Sequence, residues 1–197
     1  MEKKIVVAGH VCIDMTPVFD HERVERLSDL LIPGKLIHMK GISFAGGGVV
    51  SNTGLALKVL GADVSLMGKV GKDALGSILS DLFNKYGVGK NMIHDGVDRV
   101  FLHDPASNNT FCYDDIVFSE VADASIFHFG YPPLMRRMFE QDGAELFRIL
   151  RKVHEMGVAV SLDMAAVDPA SEAAKADWAE IIRKSLPYVD FFVPSVE

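Results

Sequence analysis

Phe44-Ala45-Gly46-Gly47-Gly48-Val49-Val50-Ser51-Asn52-Thr53-Gly54 opens the stretch that decides the fold, which runs on through Leu60-Gly61 to Gly68-Lys69-Val70-Gly71-Lys72-Asp73-Ala74-Leu75-Gly76. Three glycines in a row strip the chain of Cβ atoms, so a ligand can approach the backbone and φ can turn positive. Ser51 and Asn52 stand where a helix cap would, ahead of the apolar run Leu55, Leu57, Val59 and Leu60. Val64, Leu66 and Val70 follow as a strand, and the second glycine cluster leads into another helix from Asp73. The stretch reads as a glycine turn at a helix N-terminus, with Asn52 as a side chain that both donates and accepts.

Outward from that turn, the chain alternates. Towards the N-terminus, Ile5 to Ala8 is a continuous apolar run closed by Gly9, as in a buried parallel strand. It continues into Val11-Cys12-Ile13-Asp14, which places a carboxylate just beyond the strand's C-terminal edge, where open α/β sheets bind ligands. Residues 16 to 43 are irregular, with a charged part from Asp20 to Asp29 and a short strand at Leu36 and Ile37. Towards the C-terminus, Asp73 to Tyr86 carries Leu75, Ile78, Leu79, Leu82 and Phe83 at helical spacing, and Gly87 stops it. Val88 to Asp98 has no clear period, Val100 to His103 is a strand, and Asp104 to Asn109 is a turn. Ser125 to Gly130 returns to the central sheet, Gly143 to Met156 is a helix, and Val158 to Leu162 is a strand with Asp163 at its C-terminal edge. Ala170 to Ser185 is a further helix, and Phe191 to Val193 begins one more strand. Such alternation implies an α/β fold, a parallel sheet covered on both faces.

Composition narrows the function classes. A chain of 197 residues with 49% hydrophobic content can bury the core of about one domain. The formal charge of −7, from 20 basic and 27 acidic residues without a basic block, argues against a nucleic-acid partner. Cys12 and Cys112 are too far apart for a CxxC metal site, and two cysteines fit a reducing cytoplasm. No apolar run reaches membrane-spanning length, so no membrane partner is expected. The histidines lack HxxxH and HExxH spacing, and neither a Walker A loop nor a Rossmann GxGxxG is present.

The glycine stretch resembles the first signature of the ribokinase-like (PfkB) family of carbohydrate kinases. That signature is a Gly-Gly pair, Asn four residues on, Leu-Gly about eight further, then Gly-x-x-Gly-x-Asp-x-x-Gly. Gly47-Gly48, Asn52, Leu60-Gly61 and Gly68 to Gly76 match in order and spacing. The resemblance implies a ribokinase-like α/β domain with a small β lid, its segments at about residues 16–43 and 95–113. It implies a substrate site in which Asp14 binds two hydroxyls of a sugar, Gly47 and Gly48 let the sugar sit close, and Asn52 and Asn108 add contacts. It further implies transfer of the ATP γ-phosphate, with Mg2+, to a hydroxyl of a sugar or nucleoside, and a possible homodimer through the lid. The alternative is a non-catalytic sugar- or nucleoside-binding protein of the same fold. Departures are local. The family's Asp-x-Asn-x-Arg meets Asp163 here with Ala165 and Val167 for its Asn and Arg, and Pro194-Ser195 has Ser in place of the Asn of Pro-Asn-x-x-Glu. The second signature, Asp-Thr-x-Gly-Ala-Gly-Asp with the catalytic Asp, is expected beyond Glu197. The chain is thus expected to hold the sugar-binding part, an incomplete domain over 1–197, and to be inactive by itself.

Overall fold

The computed structural model describes residues 4–19, 34, 39–88, 92–95 and 106–194. Its centre is a six-stranded parallel sheet in the order β5-β4-β1-β6-β7-β8. The strands are β1 (Lys4–Gly9), β4 (Asp63–Gly71), β5 (Met92–Asp95), β6 (Ala124–Gly130), β7 (Ala159–Asp163) and β8 (Phe191–Val193). Two further strands, β2 (Cys12–Phe19) and β3 (Met39–Gly47), pair antiparallel as a separate ribbon. The helices are α1 (Gly48–Val59), α2 (Ala74–Lys85), α3 (Phe118–Ala122), α4 (Arg136–Phe139), α5 (Ala144–Glu155) and α6 (Trp178–Ser185).

Side chains on successive strand residues point to opposite faces, and the core divides accordingly. Val6, Ala8, Phe127, Phe129, Val160 and Leu162 face one side, where Leu146, Ile149, Leu150 and Val153 of α5 and Ile181 of α6 cover them. Val7, Val64, Leu66 and Val70 face the other, under Val49 and Val50 of α1 and Leu79 and Phe83 of α2. The approach of α1 to the sheet is close because Gly54 has no side chain. A Cβ there would stand 2.3 Å from Leu66 Cδ2, an overpacking that costs about 1–3 kcal/mol.

From β1 the chain proceeds through β4 to β5 on one flank, then returns to β6 on the other and continues to β7 and β8. The strand order reverses between β1 and β6. That crevice, at the C-terminal ends of the strands, is where open α/β sheets take ligands.

Several sequence expectations are corrected. Asp14 does not lie just past β1; the chain leaves the sheet at Gly9, with φ +123°, and Asp14 is the third residue of β2. Ser51 and Asn52 do not cap α1, which starts at Gly48 with Gly47 as its cap. The irregular span after α2 contains β5, parallel to β4 in the register Gly68 to Met92 through Gly71 to Asp95. The expected helix from Ala170 to Ser185 is broken into a 3-10 turn, Glu172–Lys175, and α6. Asp177 causes the break: its side chain accepts from the Glu180 N–H at 3.0 Å and starts a new helix. The expected strands at Leu36–Ile37 and Val100–His103 lie outside the described residues, as do most of 20–38 and 96–105. Residues 106–110 and 113–115 form 3-10 turns.

Candidate active site

Gly47 and Gly48 lie at the junction of ribbon and helix, and each lacks a Cβ for a different reason. Gly47 has ordinary extended backbone, φ −121°. A Cβ there would meet the Asp14 carboxylate, 2.7 Å from Oδ2 and 2.8 Å from Oδ1, and Cys12 Sγ at 2.7 Å. Register explains the meeting, since Cys12 pairs with Gly47 and Asp14 with Ala45 across the ribbon. Gly48 turns into the helix with φ +77°, and its missing Cβ would stand 2.6 Å from both Nδ1 and the carbonyl oxygen of His10. The first N–H groups of a helix have no partner within it. That of Val50 donates to the His10 carbonyl at 3.2 Å, which ties α1 to the end of β1 at the crevice.

Asn52 is exposed, four residues after Gly48 and therefore on the same helix face. Helical side chains lean towards the N-terminus, which directs its amide back to the turn. Asp14 is exposed as well. Asn108 is 4% exposed and belongs to the frame of the site. Its Oδ1 accepts from the Val11 N–H and its Nδ2 donates to the Val11 carbonyl, both at 3.0 Å, pinning the link between β1 and the ribbon. Sequence reading could place Asn108 in a turn; this pair of hydrogen bonds depends on a contact across ninety-seven positions.

Beside Asp14, Cys12 Sγ lies 3.7 Å from Oδ1. Burial first, then the negative charge and hydrogen bond of Asp14, push its thiol up to about 12, so it is a neutral donor and not a nucleophile. A cavity of about 60 Å³ borders this group, lined by Cys12, Lys69, Asp73, Ser107 and Asn108 among others. Its far wall is the second glycine cluster. There Asp73 Oδ1 accepts from the Gly76 N–H at 2.7 Å, and a Cβ on Gly76 would strike the Gly71 carbonyl. That part of the motif builds a turn.

On β6 and β7, sheet register places His128 opposite Ser161. His128 Nδ1 lies 2.9 Å from Ser161 Oγ, and Nε2 is 3.9 Å from Asp163 Oδ2. Burial lowers the His128 pKa, and burial raises that of Asp163 against a smaller lowering by the Met164 N–H. This pairing was missed from sequence because only the register reveals it.

The model of the pfkB family of carbohydrate kinases matches residues 2–197. The chain belongs to that family. As a pfkB-family chain it shares its fold with solved sugar kinases. Fructokinase from Xylella fastidiosa with bound ATP superposes with TM-score 0.70 at 22% identity, over 98% of this chain and 61% of that one. A 2-dehydro-3-deoxygluconokinase from Thermotoga maritima gives 0.68 at 20%, over 98% and 60%. Arabidopsis thaliana ribokinase complexed with ribose and ATP gives 0.66 at 17%, over 98% and 60%. The pfkB-family chain thus spans about three fifths of the length of these enzymes, and its architecture is the ribokinase-like α/β fold. No curated protein matches it.

Proposed function

We propose that this chain carries the acceptor-binding part of an ATP-dependent carbohydrate kinase, which transfers the γ-phosphoryl group of ATP to a hydroxyl of a sugar or nucleoside. The observation that carries this reading is the Asp14 carboxylate seated against Gly47 at the N-terminus of α1, beside the reversal in strand order. Asp14 accepts hydrogen bonds from two acceptor hydroxyls, Asn52 adds a donor and an acceptor, and Gly47 and Gly48 leave room for the ring on the backbone. Asn108 serves one step back, holding Val11. The contribution of these residues is positioning, the main resource in phosphoryl transfer.

ATP supplies the phosphoryl group when bound. Among the described residues, no cluster of three or more His, Cys, Asp or Glu side chains fits a metal ion. The ribbon of β2 and β3, which shares residues 16–19 and 39–43 with the expected segment of about 16–43, is assigned as the lid. It bears exposed Ile42 and Phe44, which we assign to a homodimer contact; Phe44→Ser is expected to shift sedimentation towards monomer. Two free cysteines fit the cytoplasm.

Calorimetric titration with a panel of sugars and nucleosides tests the site. One class is expected to bind, and Asp14→Asn to weaken it, since a hydrogen bond to a charged group is worth about 1.5–3 kcal/mol. Undiminished affinity in that variant would move the site elsewhere.

A further inference from the structure

Tyr131 follows β6 directly, with φ 63° and ψ 44°. This left-handed conformation is an outlier for a bulky aromatic residue, and such strain persists only where the surroundings enforce it. Here they do. The Tyr131 N–H donates to the Asp163 carbonyl at 3.0 Å, its own carbonyl accepts from the Leu134 N–H at 2.9 Å, and Pro132 and Pro133 follow. A glycine would make the same turn without strain. The turn alone therefore does not call for tyrosine.

What the strained backbone achieves is the placement of a ring. The Tyr131 side chain packs on the α1 side of the core and lies 6.0 Å from the His10 ring, centroid to centroid. His10 is the residue that abuts the missing Cβ of Gly48, as Asp14 abuts that of Gly47. Polar Asp14 and aromatic Tyr131 are thus linked through one glycine turn, at the C-terminal ends of β1 and β6. Tyr131 is half-buried, which leaves part of its surface open.

We propose that Tyr131 is a specificity-determining residue of the acceptor site, the apolar wall against which a ring-closed acceptor stacks. The inference rests on the acceptor-site reading above. A cyclic sugar presents a rigid face of C–H groups to an aromatic ring, whereas the corresponding open-chain polyol offers similar hydroxyls without such a face. Pockets of this kind combine an apolar surface with a few orienting polar groups.

The test is calorimetric titration of the 197-residue chain with D-ribose, D-fructose and their open-chain counterparts ribitol and D-mannitol. Wild type, Tyr131→Gly, Tyr131→Phe and Asp14→Asn are compared, with circular dichroism to verify folding. Tyr131→Gly is expected to weaken a bound cyclic sugar by about tenfold, the scale of an aromatic contact. The polyol should change by less than about threefold on the same scale, and Tyr131→Phe should behave as wild type. Equal losses for both ligand types, or none, would show that the ring only packs and would overturn the proposal. If Asp14→Asn binds undiminished, or wild type binds no probe, the acceptor-site reading fails and this inference with it. Loss in Asp14→Asn with none in Tyr131→Gly removes Tyr131 alone.

Discussion

A methyl group added at Gly47 would stand 2.7 Å from both Asp14 Oδ2 and Cys12 Sγ. Because the backbone there is extended, Gly47→Ala disturbs the carboxylate without straining the chain, unlike any change at Gly48 with its φ of +77°. Gly47→Ala is therefore expected to abolish acceptor binding while keeping the melting temperature near wild type. Asn52→Ala loses one hydrogen bond to a neutral hydroxyl and should weaken binding by about 0.5–1.5 kcal/mol; titration separates the two effects. A second residue-scale consequence concerns pH. Burial lowers the His128 pKa, so the fold favours the neutral ring. The stability this contributes is full above the ordinary histidine value of 6.5 and is lost as pH falls below it. Asp163 works in the opposite sense. Its raised pKa means that the folded chain resists the carboxylate, a penalty present at neutral pH and relieved as pH falls through the raised value towards 3.8. Asp163→Asn should accordingly raise the melting temperature at pH 7 and leave it nearly unchanged near pH 3. A lowered melting temperature at pH 7 would show that the carboxylate is stabilised by contacts stronger than its burial penalty.

Helix starts show how local chemistry and tertiary structure share the work at the scale of the element. Asp73 caps α2 through Gly76, and Asp177 caps α6 through Glu180. Replacing a capping Asp by Ala typically removes about 1 kcal/mol. Asp73→Ala should do so, and should also loosen the wall of the small cavity beside Cys12; Asp73→Asn should retain most of the stability. Denaturant melts of both variants give the comparison. The capped helix α2 was legible because its apolar stripe and its Asp stand in one short run. So were β1, β6 and β7, as continuous apolar segments. The start of α1 was not, because Gly47 and Gly48 make the turn by backbone geometry while Ser51 and Asn52 merely resemble caps. The glycine pair and Asp14 could be named as candidate site residues, but not their contact, which depends on ribbon register. Likewise, β5 is only four residues long and owes its existence to pairing with β4. Tyr131 carries no sequence mark of its left-handed turn, since neither Gly nor Asn occupies the position.

Across the whole molecule, the two faces of the sheet are unequally covered. On one face, α5 packs on β7 and α6 packs on α5. On the other, α1 packs on β1, β4 and β6 and α2 on β4, while Ser161 and Asp163 of β7 share that side with His128. At the sheet edge, Phe191 and Val193 of β8 are 56% and 48% exposed. The solved kinases of this fold are longer, with this chain covering 61% of the Xylella enzyme and 60% of the Thermotoga and Arabidopsis enzymes. Phosphoryl transfer requires a held acceptor hydroxyl together with groups that stabilise charge on the transferring phosphate. The proposed acceptor site accounts for the first: in that proposal Asp14 is committed to the acceptor, and Asp163 stands where Ala165 and Val167 supply no polar partner. We therefore predict that the 197-residue chain binds its acceptor but does not release ADP from MgATP in its presence. A version extended at its C-terminus to the length of the solved kinases, with a Gly-Ala-Gly-Asp segment, should do both. Extension should also reduce binding of a hydrophobic dye, because an exposed edge strand and apolar residues on it attract such probes. A coupled ADP-release assay on both chains, run beside calorimetry with the same sugars, decides between binding and turnover. Acceptor-dependent ADP release by the shorter chain would place the catalytic base within these residues and overturn the assignment of binding alone to them.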